Sequence, residues 1–473
     1  MSLNSALSTA RSGLDATQVW SEVTARNIAN ANTDGYVAKD ATLSTTSAGQ
    51  GGLVTVSTVR REVDASLDRM YRLASSKMNT QQAISEGVQA YTAILGQPND
   101  ARSPVARLGD LQTAFQTLAN SPASAAAQQG VVDVGNTLAQ SLHDTAGALT
   151  EVRGEVTTEI KYDVSDLNRT LYKIADLNRQ LATSQTGAPA TADLQDEMGR
   201  LVQTVSGMVD VQTRTDASGQ VSLYTAGGTP LVEAQKVSDV RYDDGTGKLY
   251  AGSQEITPGA GGARGFENGS LAGLFQLQDR ILPTFGRQLD ALAAGLIQGF
   301  QSQDASLAPG QAGFFTDAGG AYDPVKIDGL ASRIAVNAAV DPAQGGTLGR
   351  VRDGIGATSP GAAGDSTQAN AFLAVFTRPM PAVPGTDLAD GLSPGDFAAN
   401  MVSYQQVTGT RAQQDFTQLQ TTAQTIDASR QSVEGVNLDD QLQKLIVIQH
   451  SYAANSKMMS VISQMMDALI QAV

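Results

Sequence analysis

VNLDDQLQKLIVIQHSYAANSKMMSVISQMMDALIQAV, residues 436–473, sets Leu438, Leu445, Tyr452, Met459, Met466 and Val473 at an unbroken seven-residue spacing. An apolar repeat of this period is one stripe of a helix that requires a second helix against it. Leu442 and Ile470 thicken the stripe, Ile448, Ile462 and Leu469 lie beside it, and Gln449, Ser456 and Ser463 interrupt the companion seam. Gly435 is the expected break before the helix and Asn437 its N-cap, with Asp439 and Asp440 in the favoured first turn. The other end of the chain carries a matching face of Leu3, Leu7, Ala10, Leu14, Thr17, Ser21, Ala25 and Ile28. Trp20, with Ala16 and Val23, adds a second apolar side, so that this helix can touch two neighbours. The two ends read as partners. The same periodicity would also complete the core of an ordinary helical domain. A two-helix pair, however, is marginal in isolation and gains order by joining other copies.

Composition narrows the class. The chain has 473 residues, enough for two to four domains, yet only 17% are charged and 5% aromatic, with 47 glycines. That balance suits an assembly protein better than an enzyme. A net charge of -15, with no basic run, opposes binding to nucleic acid or an anionic bilayer. Without cysteine there is no disulfide, thiolate chemistry or Cys-type zinc site. Ser5, Ser8, Arg11 and Asp15 break up the start of the chain, which lacks the features of a secretory signal. Ala291 to Phe300 is about half the length needed to span a bilayer, so no membrane insertion is expected.

Along the chain, Asn30 to Gly35 is stop-and-turn chemistry, and residues 41–59 look extended, with Leu53 to Val59 alternating as a strand does. From about Val63 to Leu181 the period is helical, broken at Gly96 to Pro104 and Asn120 to Pro122, with Ser103 and Pro104 a cap and first-turn pair. Short strand patterns follow Gly207 as far as Tyr250. Leu271 to Gln301 returns to helix with Pro283 a kink or break, residues 305–395 are rich in Gly, Pro and Ala, and helix resumes from Phe397. The expected fold is mainly α with a β-rich insertion: long terminal and near-terminal helices form nested coiled-coil or bundle domains around a central mixed β domain. The expected division is residues 1–35 with 437–473 as a terminal-helix core, 36–190 with 396–436 as a bundle including an extended linker 36–62, and 191–395 as an outer β-rich domain. Helix 269–303 packs with the bundle in one version of that division.

No catalytic, metal or cofactor site is expected. His143 and His450 lie in helical patterns without acidic or cysteine partners at metal spacing, so each reads as structural. No Gly-x-Ser-x-Gly elbow is present. Asp243-Asp244-Gly245-Thr246-Gly247 lacks the alternating ligands and closing Glu of a calcium loop and reads as a hairpin turn. The glycines of Gly259 to Gly265 lack the strand-to-helix setting of a phosphate loop.

Asn27-Ile28-Ala29-Asn30-Ala31-Asn32-Thr33-Asp34-Gly35-Tyr36 resembles the N-terminal signature of the bacterial flagellar rod, hook and hook-associated axial proteins. Glu434 to Asp440, then Gln449, Tyr452, Ala454 and Asn455, is similar to the other end of that family. Between them Val59-Arg60-Arg61-Glu62-Val63-Asp64, Asp193 to Val202, Gly269 to Leu274 and Gly313-Phe314-Phe315 resemble its hook-associated branch at the hook-filament junction. Asp34 stands where proline is common, Val37-Ala38-Lys39 replaces a Ser/Thr-Arg continuation, and Val63 replaces an aromatic. The helical residues after the first signature separate the chain from hook and distal-rod subunits, whose β-rich domains come there.

The resemblance implies a structural junction protein joining hook to filament by helix-helix polymerisation. Its implied partners are other copies of itself, the hook protein below, hook-associated protein 3 above, and a secretion chaperone on the C-terminal helix before export. It also implies an extracellular location at the end of the hook, reached through the flagellar secretion apparatus without a cleavable signal. The expected assembly face comprises Leu3, Leu7, Leu14 and Ile28 with Leu438, Leu442, Leu445, Tyr452, Met459, Met466 and Leu469. The family turn comprises Asn27, Asn30, Thr33, Gly35 and Tyr36. An axial rod or hook subunit, a secreted enzyme carried in the central residues, and a cytosolic helical adaptor are the alternative readings.

Overall fold

The computed structural model describes residues 3–33, 35–48, 51–97, 100–185 and 187–471; Asp34, Gln50 and Val473 lie outside the described residues. The chain forms two compact units, one of Met1–Thr80, Tyr162–Ala272 and Thr417–Val473, the other of Gln81–Lys161 and Gly273–Phe416. The protein is mainly α with small sheets between the helices.

The first unit begins with α1 (Leu3–Ala29) and continues into β1 (Lys39–Ala48) and β2 (Gly51–Arg61), which pair antiparallel from Lys39 opposite Arg61 to Ala48 opposite Gly51. The extended stretch is thus a hairpin. It also contains α5 (Pro189–Met208), α11 (Leu438–Gln471), and the parts of α2 (Ala65–Leu95), α4 (Ala125–Thr183) and α10 (Pro394–Glu434) that fall within its ranges. The β-rich insertion consists of two antiparallel sheets. One runs β3 (Val211–Thr215), β4 (Val221–Thr225), β5 (Pro230–Glu233), β6 (Lys236–Val237); the other runs β7 (Val240–Asp243), β8 (Lys248–Ala251), β9 (Gln254–Glu255). In β4 the residues Val221, Leu223 and Thr225 are buried and those between are half-exposed, the period-2 pattern of a strand with one covered face.

Two asparagines of α4 dock these sheets. The Asn178 amide donates to the Val221 carbonyl and accepts from the Val221 N–H, both at 2.8 Å, and Asn168 does the same to Val240. Each side-chain amide mimics a strand edge and satisfies both polar groups of the first strand residue. Asp243 to Gly247 is the β7–β8 turn, closed by Gly247 N–H on Asp243 O at 2.7 Å, with the Asp243 carboxylate accepting from Gly245 N–H.

The second unit holds α3 (Pro104–Asn120), α7 (Leu282–Ser302), α8 (Gly349–Asp353), α9 (Thr367–Val375) and two short strands, β10 (Phe315–Asp317) and β11 (Ile334–Val336). The Ser103 hydroxyl caps α3 by accepting from Val105 N–H at 3.1 Å, ahead of Pro104 in the first turn. Phe115, Phe300, Phe314 and Phe372 form the centre of the core, with Phe115 5.3 to 5.5 Å from the other three ring centroids. These rings account for burial of Phe314 and Phe315 in the Gly313-Phe314-Phe315 motif. Helix α6 (Ser270–Gln276) meets α7 through a π turn, Leu277–Ile281, and Pro283 occupies the first turn of α7. Proline cannot donate a helical hydrogen bond, and the wider turn before it takes up that defect without ending the helix. A buried relay runs from Tyr91 Oη to Gln405 Oε1 (3.0 Å), from Gln405 Nε2 to Gln288 Oε1 (2.8 Å), and from Gln288 Nε2 to the Thr386 carbonyl (2.7 Å). Each polar atom in this chain of bonds has a partner, so the amides fix the helix register without a wholly unpaired buried group. Helix α9 lies in the Gly, Pro and Ala-rich stretch; its nine residues are too few for a clear helical period.

Candidate assembly interface at the paired chain ends

Helices α1 and α11 pair antiparallel within the first unit. Asn27 near the end of α1 meets Gln441 near the start of α11 (3.1 Å), whereas Gly13 lies against Asn455. A Cβ at Gly13 would stand 2.8 Å from Asn455 Nδ2, so the absent side chain permits the close approach. Gln441, Ile448 and Ile462 are buried on the α11 side, with Leu445, Asn455, Met459 and Met466 half-buried. On the α1 side, Ala10, Gly13 and Thr17 are buried and Leu3, Leu7, Leu14 and Ile28 are half-buried.

The structure therefore divides the predicted stripe. Leu445, Met459 and Met466 turn toward the covered side, whereas Leu438, Leu442, Tyr452 and Leu469 are exposed. The covered seam passes through Gln441 and Asn455, polar residues that an apolar-spacing count steps over. Ile446, Val447, Met458, Val461, Met465 and Ile470 are exposed as well, from 42% for Val461 to 73% for Ile470. Apolar side chains on this scale along one helix mark an interaction surface.

The opposite side of α1 carries Trp20 and Val23, which pack with Ala41 and Val59 of the hairpin and Ala192 of α5. Ser12 Oγ also accepts from Val54 N–H at 3.2 Å. This is the second apolar side of the first helix, and the hairpin is its neighbour.

The turn after α1 explains the family signature residue by residue. Asn30 Nδ2 donates to the Arg26 carbonyl at 2.9 Å, satisfying a helix-end acceptor, and Thr33 N–H and Tyr36 N–H carry the turn forward onto Asn30 O and Thr33 O. Gly35 sits at φ +71°, a left-handed angle that favours glycine. Asn27, 1% exposed, is the hub. Its Nδ2 donates to the Lys39 carbonyl (2.8 Å) and Gln441 Oε1 (3.1 Å), and its Oδ1 accepts from Tyr36 Oη (3.0 Å) and Lys39 N–H (3.1 Å). One side chain thus ties α1, the turn, β1 and α11 together.

Beside the hub lies an ion cluster. Lys39 Nζ, 4% exposed, is 2.8 Å from Asp196 of α5, also 4% exposed, and pairs with Asp193. Arg61 of β2 reaches Asp196 (2.5 Å), and Arg26 of α1 reaches Asp193 (2.7 Å). The Val59 to Asp64 and Asp193 to Val202 segments therefore converge on this cluster. Burial, reinforced by the charges of Asp196 and Asp193, pushes the Tyr36 phenol up to about 12. The sequence does not mark Lys39, Asp193 and Asp196 as site residues; Lys39 in place of an arginine after the turn signature and the Asp193 to Val202 resemblance are their visible traces.

The C-terminal signature closes the same region. Glu434 O accepts from Ala38 N–H and Glu434 Oε1 from Asp64 N–H, both at 2.8 Å. Asn437 Oδ1 accepts from Asp439 N–H at 3.0 Å as the α11 cap, and Lys444 pairs with Asp40 at 2.9 Å. Burial raises the Glu434 carboxyl above its ordinary value of 4.5, against the opposing Asp64 N–H and Arg430. A raised folded-state value means that this group's contribution to stability is intact below the ordinary value and lost as pH rises through the raised one. Glu434→Gln keeps the acceptor without the charge. The variant should be more stable than the parent at pH 8, with the difference vanishing toward about pH 4, as read by denaturant unfolding across that range.

Among the described residues no cluster of three or more His, Asp or Glu could hold a metal ion, and His143 Nε2 is engaged with the Ile334 carbonyl at 2.7 Å. No described helix is long and apolar enough to cross a membrane.

Three family models match in chain order: a flagella basal body rod protein at residues 7–36, the helical domain of the flagellar hook-associated protein FlgK at 92–313, and the flagellar basal body rod FlgEFG protein C-terminal at 421–472. Flagellar hook-associated protein 1 of Bacillus subtilis is 26% identical over 509 residues, covering 98% of this chain and 97% of its own. The chain belongs to the flagellar hook-associated protein 1 family. The family proteins of Escherichia coli and Salmonella typhimurium are 26% and 27% identical over 64% of this chain, and the matches span 57% and 56% of their lengths. A solved structure described as the flagellar hook junction protein FlgK of Burkholderia pseudomallei aligns with TM-score 0.44 at 23% identity, over 52% of this chain and 46% of that one. The hook-associated protein 1 family is a family of structural flagellar proteins. The two basal body rod models fall on the paired helices, the turn after α1 and the end of α10, and the helical-domain model covers residues 92–313 between them.

Proposed function

We propose that this protein is the non-enzymatic junction subunit between flagellar hook and filament, assembled through its terminal helices. The observation that carries the reading is the α1–α11 pair with an apolar face left open on α11, at the position of the family's terminal signatures. Residues 1–35 with 437–473 form the adhesive module, 36–190 with 396–436 the bundle, and 191–395 the outward part. Other copies cover Leu442, Val447, Met465 and their neighbours. Hook protein lies on one side and hook-associated protein 3 on the other, and a secretion chaperone shields the same face before export through the flagellar secretion apparatus.

Substituting Leu445 and Met459 by Asp would test the stripe, but both face the covered side, so loss of assembly could follow from loss of α1 pairing alone. Val447→Asp with Met465→Asp separates the two, because both side chains are about half exposed. The double variant should unfold like the parent yet fail to restore motility to cells lacking the native gene, with hooks bare of filament in electron micrographs. Normal filaments on those hooks would refute the assembly face. Immunogold label along the rod or filament, rather than at the hook end, would refute the junction.

A further inference from the structure

A groove of 1080 Å³ in the first unit lies apart from the α1–α11 pair. Its lining brings together Arg60 and Arg61 of β2, Arg69 and Arg72 of α2, and the length of β3, with Asp68 and Asp210 its only carboxylates. This is a local excess of cations in a chain of net charge -15. Arg61 is committed to Asp196 and Arg72 to Asp68. Arg60 and Arg69 are exposed and form no ion pair among the described residues, and Arg72 Nε is buried without a hydrogen-bond partner.

The strand beside these cations has an open edge. β3 is terminal in its sheet, pairing with β4 alone. Asp210 O accepts from Ala226 N–H, which fixes the alternation of the ladder. The backbone groups of Gln212 and Arg214 therefore face β4, and those of Val211, Thr213 and Thr215 face away from it. No described group bonds the N–H of those three residues. Val63 and Leu73, 39% and 45% exposed, add apolar surface to the lining.

We propose that this groove takes an extended segment of alternating acidic and apolar side chains from another polypeptide, added as a fifth strand along β3. Main-chain bonds to Val211, Thr213 and Thr215 supply the ladder, carboxylates meet Arg60 and Arg69, and alternate side chains cover Val63 and Leu73. The charge excess selects an acidic segment over a basic one.

The test uses the full chain and two fluorescein-labelled hexapeptides, Glu-Val-Glu-Val-Glu-Val and Lys-Val-Lys-Val-Lys-Val, followed by polarisation at low salt. The acidic peptide should bind at least roughly tenfold more tightly than the basic one, and more weakly as salt rises. Arg60→Glu with Arg69→Glu should weaken it by a similar factor. Thr213→Pro should do so too, because proline at an open edge keeps the fold and removes the outward N–H. Unchanged circular dichroism and melting establish that each variant folds. The proposal fails if neither peptide binds, if both bind alike, or if Thr213→Pro leaves acidic-peptide binding unchanged.

Discussion

Asn27→Ala should destabilise the paired chain ends by about 3 kcal/mol or more, since it orphans buried groups at roughly 1 to 3 kcal/mol each. The Lys39 N–H and carbonyl, Tyr36 Oη and the Gln441 amide all lose their partner, and Lys39 and Gln441 are buried where water cannot replace it. Native-state hydrogen exchange is the direct readout. Amides of α1 and α11 should exchange on the order of a hundredfold faster, given about 1.4 kcal/mol per decade, while those of the second-unit core keep their rates. Asn30→Ala removes a helix-end bond and the 3.3 Å bond that Thr33 Oγ1 donates to it, both outside the buried hub, and should cost about 1 kcal/mol or less. Equal effects of the two substitutions would remove Asn27 from its role as hub.

Asp196→Ala should cost about 3 to 5 kcal/mol, the range for breaking a buried ion pair from one side. Lys39 would keep only Asp193, which is 47% exposed and shared with Arg26, and Arg61 would lose its carboxylate. The companion result is the informative one. Lys39→Met with Asp196→Leu removes the buried charges and fills the space, leaving Arg61, whose side chain is 19% exposed, to turn to solvent, and should lie within about 1 to 2 kcal/mol of the parent, because a buried pair adds little over well-packed apolar groups. Urea unfolding of the single and double variants measures both. If the double variant falls as far as Asp196→Ala, the cluster contributes net stability rather than orientation of the hairpin on α5.

Much of the helical scaffold was legible from period and punctuation. The breaks read at Gly96 to Pro104 and Asn120 to Pro122 separate α2, α3 and α4, and Asn437 caps α11 as its side chain allows. The Asp243 to Gly247 turn and the alternating β4 were equally plain. The face of α11 was less so. Counting apolar residues cannot tell a seam that includes Gln441 and Asn455 from the richer apolar stripe beside it. The covered side is chosen by the small residues and Asn27 that α1 presents, not by hydrophobicity within α11.

From the sequence alone follow the mainly α class, the pairing of the ends and the resemblance to the axial family, because helix period, caps and turn residues are local properties of neighbouring residues. Only the tertiary structure decided which α11 side chains are spent on α1 and which stay open. It also decided that Lys39, Arg61, Asp193 and Asp196 form one cluster, and that β3 has a free edge beside arginines. Those facts depend on contacts between residues far apart in the chain, such as Asn27 with Gln441 and Lys39 with Asp196. No spacing rule carries them, since burial of a polar residue is determined by the partner that reaches it.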